Sequence, residues 1–310
     1  MKKFKNILLV TPANNQIVNQ AANLLTTHQS KLTLFSVAPQ LEMSTIETNT
    51  GRSVDLQSLL EDDLQTELDE FAAPLQEAGL RVQTKTVGGE DASLEIINQV
   101  IAKKHDLVMM LADGTSSTRE QLFGTLSMRL MRKCPCAVWV VKPTRRRQFR
   151  NVFAAVDPDP NNKTRDQLNA EILSRAQTIA LEHAANFHVV HAWNTLGGDA
   201  TRGRRWMTKS EIRYYAEQVA DSHRKGLNQL LAKHTDGNAI VHMIQGRTSS
   251  VIPEVISNQQ ADLLVMGTVC RAGIPGFFIG NTAESILNQV DCAVLTVKPK
   301  GFVSPVTPKL

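Results

Sequence analysis

The sequence predicts an α/β protein made of two tandem doubly wound domains, and three observations carry that prediction. First, the chain repeats itself: CAVWVVKP (Cys136–Pro143) recurs as CAVLTVKP (Cys292–Pro299), a shift of 156 residues. The same shift takes HDLVMML (His105–Leu111) onto ADLLVMG (Ala261–Gly267). Second, each half alternates short β-branched runs with segments whose apolar residues recur at helical spacing, the pattern of a parallel sheet with helices on both faces. Third, 310 residues are enough for two cores of ordinary size. Right-handed crossovers then make each half a five-stranded parallel sheet of order 3-2-1-4-5, flanked by helices, with the two halves expected about a pseudo-twofold axis.

The elements follow in order. In the second half, strands are expected at Val152–Val156, Phe187–Trp193, Ala239–Ile244, Asp262–Gly267 and Ala293–Lys298. Helices are expected between them at Thr164–His183, Lys209–Lys233, Ser249–Asn258 and Thr282–Gln289. Within the first of these helices, Ile172, Leu173, Ala176, Ile179 and Ala180 form one apolar stripe. The first half runs in the same order from Ile7–Thr11 to Ala137–Lys142, with KNILLV (Lys5–Val10) answering RNVFAAV (Arg150–Val156). The shift is smaller there, so the second half carries extra residues before its third strand, placed around Trp193–Gly203. Domain boundaries are set at 1–143 and 151–300, with a basic linker at 144–150 and a tail at 301–310.

Composition narrows the function classes. Apolar residues make up 42% and charged residues 21%, the profile of a globular protein, and a net charge of +4 is too small to imply nucleic acid without a concentrated patch. The arginine-rich linker Pro143–Arg150 and the run Arg202–Arg205 keep nucleic-acid binding as a weaker alternative; a solvated linker is the ordinary fate of such runs. Four cysteines form neither a disulfide framework nor a set with zinc spacing, and Cys134 and Cys136 are too close for an ordinary bridge. No run approaches the length of a membrane span, and Ile7–Val10 reads as a first strand rather than a leader. A reducing, cytoplasmic setting is expected. His188 and His191 fall on different faces of one strand, which points to core or surface roles rather than metal ligation.

Ligands of open α/β sheets bind beyond the carboxyl ends of the strands, where the strand order reverses. In the second half that point lies between Asp157 and Gly267, where the loop GTVCRAGIPGFFIGN (Gly267–Asn281) begins. Asp157 is placed to accept hydrogen bonds from a base or ribose, with a turn residue as the alternative. Asn281 or Thr282 can cap the following helix, and Glu284 three residues after Asn281 has capping-box spacing. The apolar Ile274, Pro275, Phe277, Phe278 and Ile279 form either core or a greasy lip suited to an amphipathic ligand.

GTVCRAGIPGFFIGNTAES (Gly267–Ser285), VKP closing both halves and MRKCP (Met131–Pro135) resemble the universal stress protein family in its tandem, bacterial E-type form, over essentially the whole chain. ATP-binding members of that family carry glycine, two residues, glycine, nine residues, then glycine and a small hydroxyl residue, with an aspartate ending the first strand. The resemblance assigns ligand contacts in the second domain to Asp157, Gly267, Thr268, Cys270, Gly280, Asn281 and Thr282. Cys270 stands where the second glycine belongs and Asn281 where a hydroxyl residue is usual. A cysteine forced into a positive-φ site costs about 1–2 kcal/mol, and its sulfur takes up space beside a phosphate. In the first domain Gly114, Gly124 and Thr125 fit, but Leu111 replaces the first glycine and Thr11-Pro12 the aspartate, so that copy is mainly structural.

The resulting expectation is a non-catalytic stress-response protein that requires no cofactor and binds ATP or another phosphate-bearing small molecule in its second domain. No lysine follows the glycines as in a Walker loop, which argues against an ATPase. The alternative is an interaction scaffold without nucleotide. The apolar last strands, Ala137–Lys142 and Ala293–Lys298, are expected at sheet edges, where they would pair the two domains within one chain.

Overall fold

A computed structural model describes residues 3–12, 14–47, 52–112, 124–142, 148–159, 162–195, 208–268 and 279–307. The chain divides into two compact units, Lys3–Arg145 with Val303–Leu310, and Arg146–Phe302.

In the first unit the order is β1 (Asn6–Val10), α1 (Asn15–His28), β2 (Lys31–Pro39), β3 (Thr45–Glu47), β4 (Ser53–Asp55), α2 (Leu56–Glu77), β5 (Val82–Gly89), α3 (Ala92–Lys103), β6 (Leu107–Leu111), α4 (Thr125–Lys133) and β7 (Ala137–Val141). Its parallel strands lie in the order β5-β2-β1-β6-β7. The second unit holds β8 (Asn151–Ala155), α5 (Lys163–Glu182), β9 (Asn186–Trp193), α6 (Lys209–His234), β10 (Ile240–Gln245), α7 (Thr248–Asn258), β11 (Leu263–Gly267), α8 (Asn281–Leu287) and β12 (Ala293–Val297). Its parallel strands lie in the order β10-β9-β8-β11-β12. The expected insertion at Trp193–Gly203, the arginine-rich linker and the Arg202–Arg205 run fall wholly or largely outside the described residues. No described helix is long and apolar enough to cross a membrane.

Strands covered by helices on both faces are almost wholly apolar. Every residue of NILLV in β1 and of AVWVV in β7 is buried. Helix starts follow local chemistry: Asn14 accepts from Ile17 N–H, Asp55 from Gln57 and Ser58, and Asn162 from Arg165, while Thr208 and Glu211 close a capping box. One element escaped the sequence pattern. Strands β3 and β4 form an antiparallel hairpin ahead of α2, each only three residues long and too short to display a period.

A repeated lock joins the first and fourth strands of each unit. Asp106 accepts from the backbone N–H groups of Lys5 at 2.7 Å and Asn6 at 3.0 Å, and its own N–H donates to the Asn6 carbonyl at 2.9 Å. The Asn6 amide donates in turn to the carbonyls of Lys103 and Lys104 at the end of α3. The second unit copies each contact. Asp262 accepts from Arg150 N–H at 2.7 Å and Asn151 N–H at 3.0 Å, and the Asn151 amide donates to Gln259 and Gln260. The Asp and Asn shared by the repeated sequence motifs are therefore structural. Hydrogen bonds to a charged acceptor are worth roughly 1.5–3 kcal/mol each.

Histidine burial adds a pH dependence. His105 is buried, and burial pushes its pKa down to about 4 against a smaller opposing contact with the Asn6 backbone. Burial, with a smaller contribution from neighbouring His242, takes His188 to about 4 as well.

Asp262→Ala should lower the stability of the second unit by about 2–3 kcal/mol, read as a lower urea midpoint. Acid should destabilise the protein well above the carboxylate range. Below the ordinary imidazole value of 6.5 the unfolded chain takes up protons that folded His105 and His188 refuse until about 4. Stability present above pH 6.5 is thus lost between about 6.5 and 4, and His105→Leu should shrink that loss in urea titrations at pH 7.5 and 5.

Candidate functional site

The second unit has its switch point between β8 and β11. These strands are neighbours, with Val152 opposite Leu263 and Ala154 opposite Val265, while β9 lies on the other side of β8. The chain leaving β8 and the chain leaving β11 therefore part, and a cavity of about 90 Å³ opens between them. Asp157, Gly267 and Thr282, three of the residues singled out in the sequence, line it together with Arg165, Leu168 and Asn169 of α5. Ile252 of α7, Met266 and Ile286 of α8 make its wall mainly apolar.

Asp157 is held from two directions. Its backbone N–H donates to Asn169 Oδ1 at 3.1 Å, and its carbonyl accepts from Asn169 Nδ2 at 2.9 Å. Its carboxylate pairs with Arg165 Nη1 at 3.1 Å, and the same guanidinium reaches Asp159 at 3.4 Å. The Asp157 side chain remains 53% exposed, so a ligand can still reach it. Gly267 earns its place by close approach: a Cβ there would lie 2.8 Å from Leu168 Cδ2 and force that side chain to shift.

The other sequence-selected residues are distributed as follows. Thr268 is fully buried, and its carbonyl accepts from Gly280 N–H at 2.9 Å, forming the neck of the loop. Cys270 and the apolar Ile274, Pro275, Phe277 and Phe278 lie outside the described residues, and Ile279 is buried. The capping expected of Asn281 or Thr282 is not found. Gly280 occupies the cap position instead and, having no side chain, offers no cap bond; its carbonyl accepts the first helical bond from Glu284 N–H at 3.0 Å. That bond starts the helix one residue early and displaces Glu284 from capping-box register. In the first unit, Gly124 and Thr125 stand at the start of α4, and Gly114 lies outside the described residues.

Arg165 and Asn169 were not singled out in the sequence. Their signal is the stripe Arg165, Leu168, Asn169, Ile172, which keeps helical spacing and continues the apolar stripe of α5 toward the cavity. Beside Asp157 lies a histidine pair. His191 Nδ1 is 3.1 Å from the Val156 carbonyl, which can only accept, so Nδ1 carries the proton. His191 Nε2 must then accept from His223 Nδ1, 2.9 Å away. Burial holds His191 below the ordinary imidazole range, keeping it in the neutral form this arrangement needs. On the opposite sheet face, His188 lies 2.9 Å from His242 and stacks on Phe153. No group of three or more His, Cys, Asp or Glu among the described residues is placed to hold a metal ion.

A doubly wound α/β unit present twice in one chain defines a tandem α/β class of protein. The chain belongs to the universal stress protein family, whose model matches residues 3–142 and 149–298. It is 28% identical to universal stress protein E of Escherichia coli strain K12, over 74% of this chain and 72% of that protein. It is 26% identical to the universal stress protein E homolog of Haemophilus influenzae, over 96% of this chain and 98% of that one. A putative universal stress protein from Pseudomonas aeruginosa, 23% identical, shares the fold with a TM-score of 0.73, covering 96% of this chain and 94% of its own.

Asn169→Ala should cost about 1–3 kcal/mol, since it removes both partners of the Asp157 peptide at a site only 2% exposed. Thermal unfolding of the variant beside the parent checks this.

Proposed function

We propose that this chain is a non-catalytic stress-response protein whose second unit binds an adenine nucleotide or another phosphate-bearing small molecule. The observation that supports it is the convergence of Asp157, Gly267 and Thr282 on one cavity at the switch point. Each has a distinct part. Asp157 offers a carboxylate to donors on a base or ribose. Gly267 lets Leu168 of α5 close against the strand end and shape the wall, and Thr282 offers a hydroxyl at the far side. The absence of a turnover step in this proposal follows from the same geometry: the Asp157 carboxylate is committed to the Arg165 guanidinium, which suits a recognition contact better than a base for activating water.

A second reading is favoured by the cavity wall. Leu168, Ile172, Ile252, Met266 and Ile286 would receive the apolar body of an amphipathic ligand as readily as an adenine ring.

Native mass spectrometry of the purified protein separates the two, followed by thermal unfolding with added ATP. A nucleotide carried through purification, or stabilisation that reaches roughly 2.7 kcal/mol at a hundredfold excess over Kd, is the expected result. Asp157→Ala should abolish it while leaving the fold intact. Protein that carries a lipid-like mass and ignores ATP would replace the nucleotide reading with the amphipathic one.

A further inference from the structure

The third strands of the two units hold the same place in the fold but are finished differently. In the first unit β5 ends the strand order, and α2 caps its open side. Thr86 N–H donates to Gln65 Oε1 at 3.0 Å, and Gln76 Nε2 donates to the Val82 carbonyl at 3.1 Å. Side chains of the helix thus take backbone groups that a further strand would otherwise take. In the second unit β10 ends the order, with β9 on its inner side. Among the described residues no side chain bonds the backbone of β10 in that way. Ile240 is 46% and Val241 44% exposed, and successive strand residues face opposite sides of the sheet, so both sides of this edge are open.

The strand itself, IVHMIQ, holds no lysine, proline or carboxylate, the residues that commonly keep an edge from pairing. His242 turns to His188, 2.9 Å away, and burial holds it below the ordinary imidazole range. Charge stands instead at the two ends. Asp236 precedes β10 and Arg247 follows it, both exposed. Asp236 Oδ1 accepts from Asn238 N–H at 3.3 Å, which keeps the carboxylate at the strand's entrance, and Arg247 takes the cap position of α7 without a side-chain bond there. A second copy laid antiparallel brings each Arg247 to the end where the other copy has Asp236, twice over by symmetry. A copy laid parallel sets like charges together.

We propose that β10 is a self-recognition edge, where two copies of this chain pair antiparallel about a twofold axis and join their second units into one continuous sheet. Main-chain hydrogen bonds supply the contact, and the opposed end charges set its direction. One six-residue strand offers less surface than an obligate interface, so the pair is a concentration-dependent dimer. The edge lies beyond β9 from the cavity between β8 and β11, and the inference stands whether or not that cavity takes a ligand.

Sedimentation velocity of the full chain over a range of concentrations tests this. Parent protein should pass from monomer to dimer as concentration rises. Val241→Lys, at an exposed position, should leave monomer alone. Arg247→Asp should raise the dimer dissociation constant about tenfold, because two ion pairs become two like-charge contacts, and Asp236→Arg should do the same. Both changes together exchange the signs and should return the affinity close to the parent's. Thermal unfolding of each variant beside the parent keeps a loss of pairing distinct from a loss of fold. A parent that stays monomeric throughout overturns the proposal and leaves the edge to a strand of another protein. A dimer that survives Val241→Lys overturns it as well, as does a combined variant that pairs more weakly than either single change.

Discussion

Both units depend on the lock between their first and fourth strands. A parallel sheet has no hairpin to set its register, so strands distant in sequence must be aligned by something else. Here one carboxylate takes two backbone N–H groups at the amino end of the first strand, and one asparagine amide ties that strand to the end of the preceding helix. With Asp262 fixed on Arg150 and Asn151, β11 must lie beside β8, and the switch point opens at their opposite ends. The crevice is thus the far consequence of a contact made at the other end of the same strands.

The same lock shows why the fold was largely legible. The repeated motifs were found as strings, and their Asp and Asn prove to be the residues that set strand adjacency. Apolar runs such as LVMML and LLVMG read as strands because both faces are covered and nothing polar interrupts them. The β3–β4 hairpin was not legible, since three-residue strands with exposed side chains carry no pattern. At the site, Asp157 and Gly267 were placed by the topology and Thr282 by the resemblance, and the three line one cavity. Arg165 and Asn169 were placed by neither, because their part depends on how α5 rotates over the sheet. The capping reading of Asn281 failed for a local reason: side-chain spacing cannot reveal that the Gly280 carbonyl begins the helix.

The two units show one scaffold at two stages of commitment. Where the second has Asp157, Gly267 and Thr268, the first has Pro12, Leu111 and Ala112. Leu111 ends a strand whose first four residues are buried, where the second unit has Gly267 with Leu168 closed against it. The first unit keeps its lock and its core but has neither the carboxylate nor the glycine at the carboxyl ends of its strands. The lock and the candidate site therefore stand at opposite ends of the strands.

The two locks offer the same chemistry: the amino end of the Asn151 strand presents two N–H groups to a carboxylate, as that of the Asn6 strand does. What differs is the strand behind the lock. Leu8 and Leu9 are answered at the repeat by Phe153 and Ala154, and the Phe153 ring stacks on His188 and lies against His242. A duplicated chain is exposed to misassembly between its copies, and side chains that differ behind identical locks are what set the copies apart.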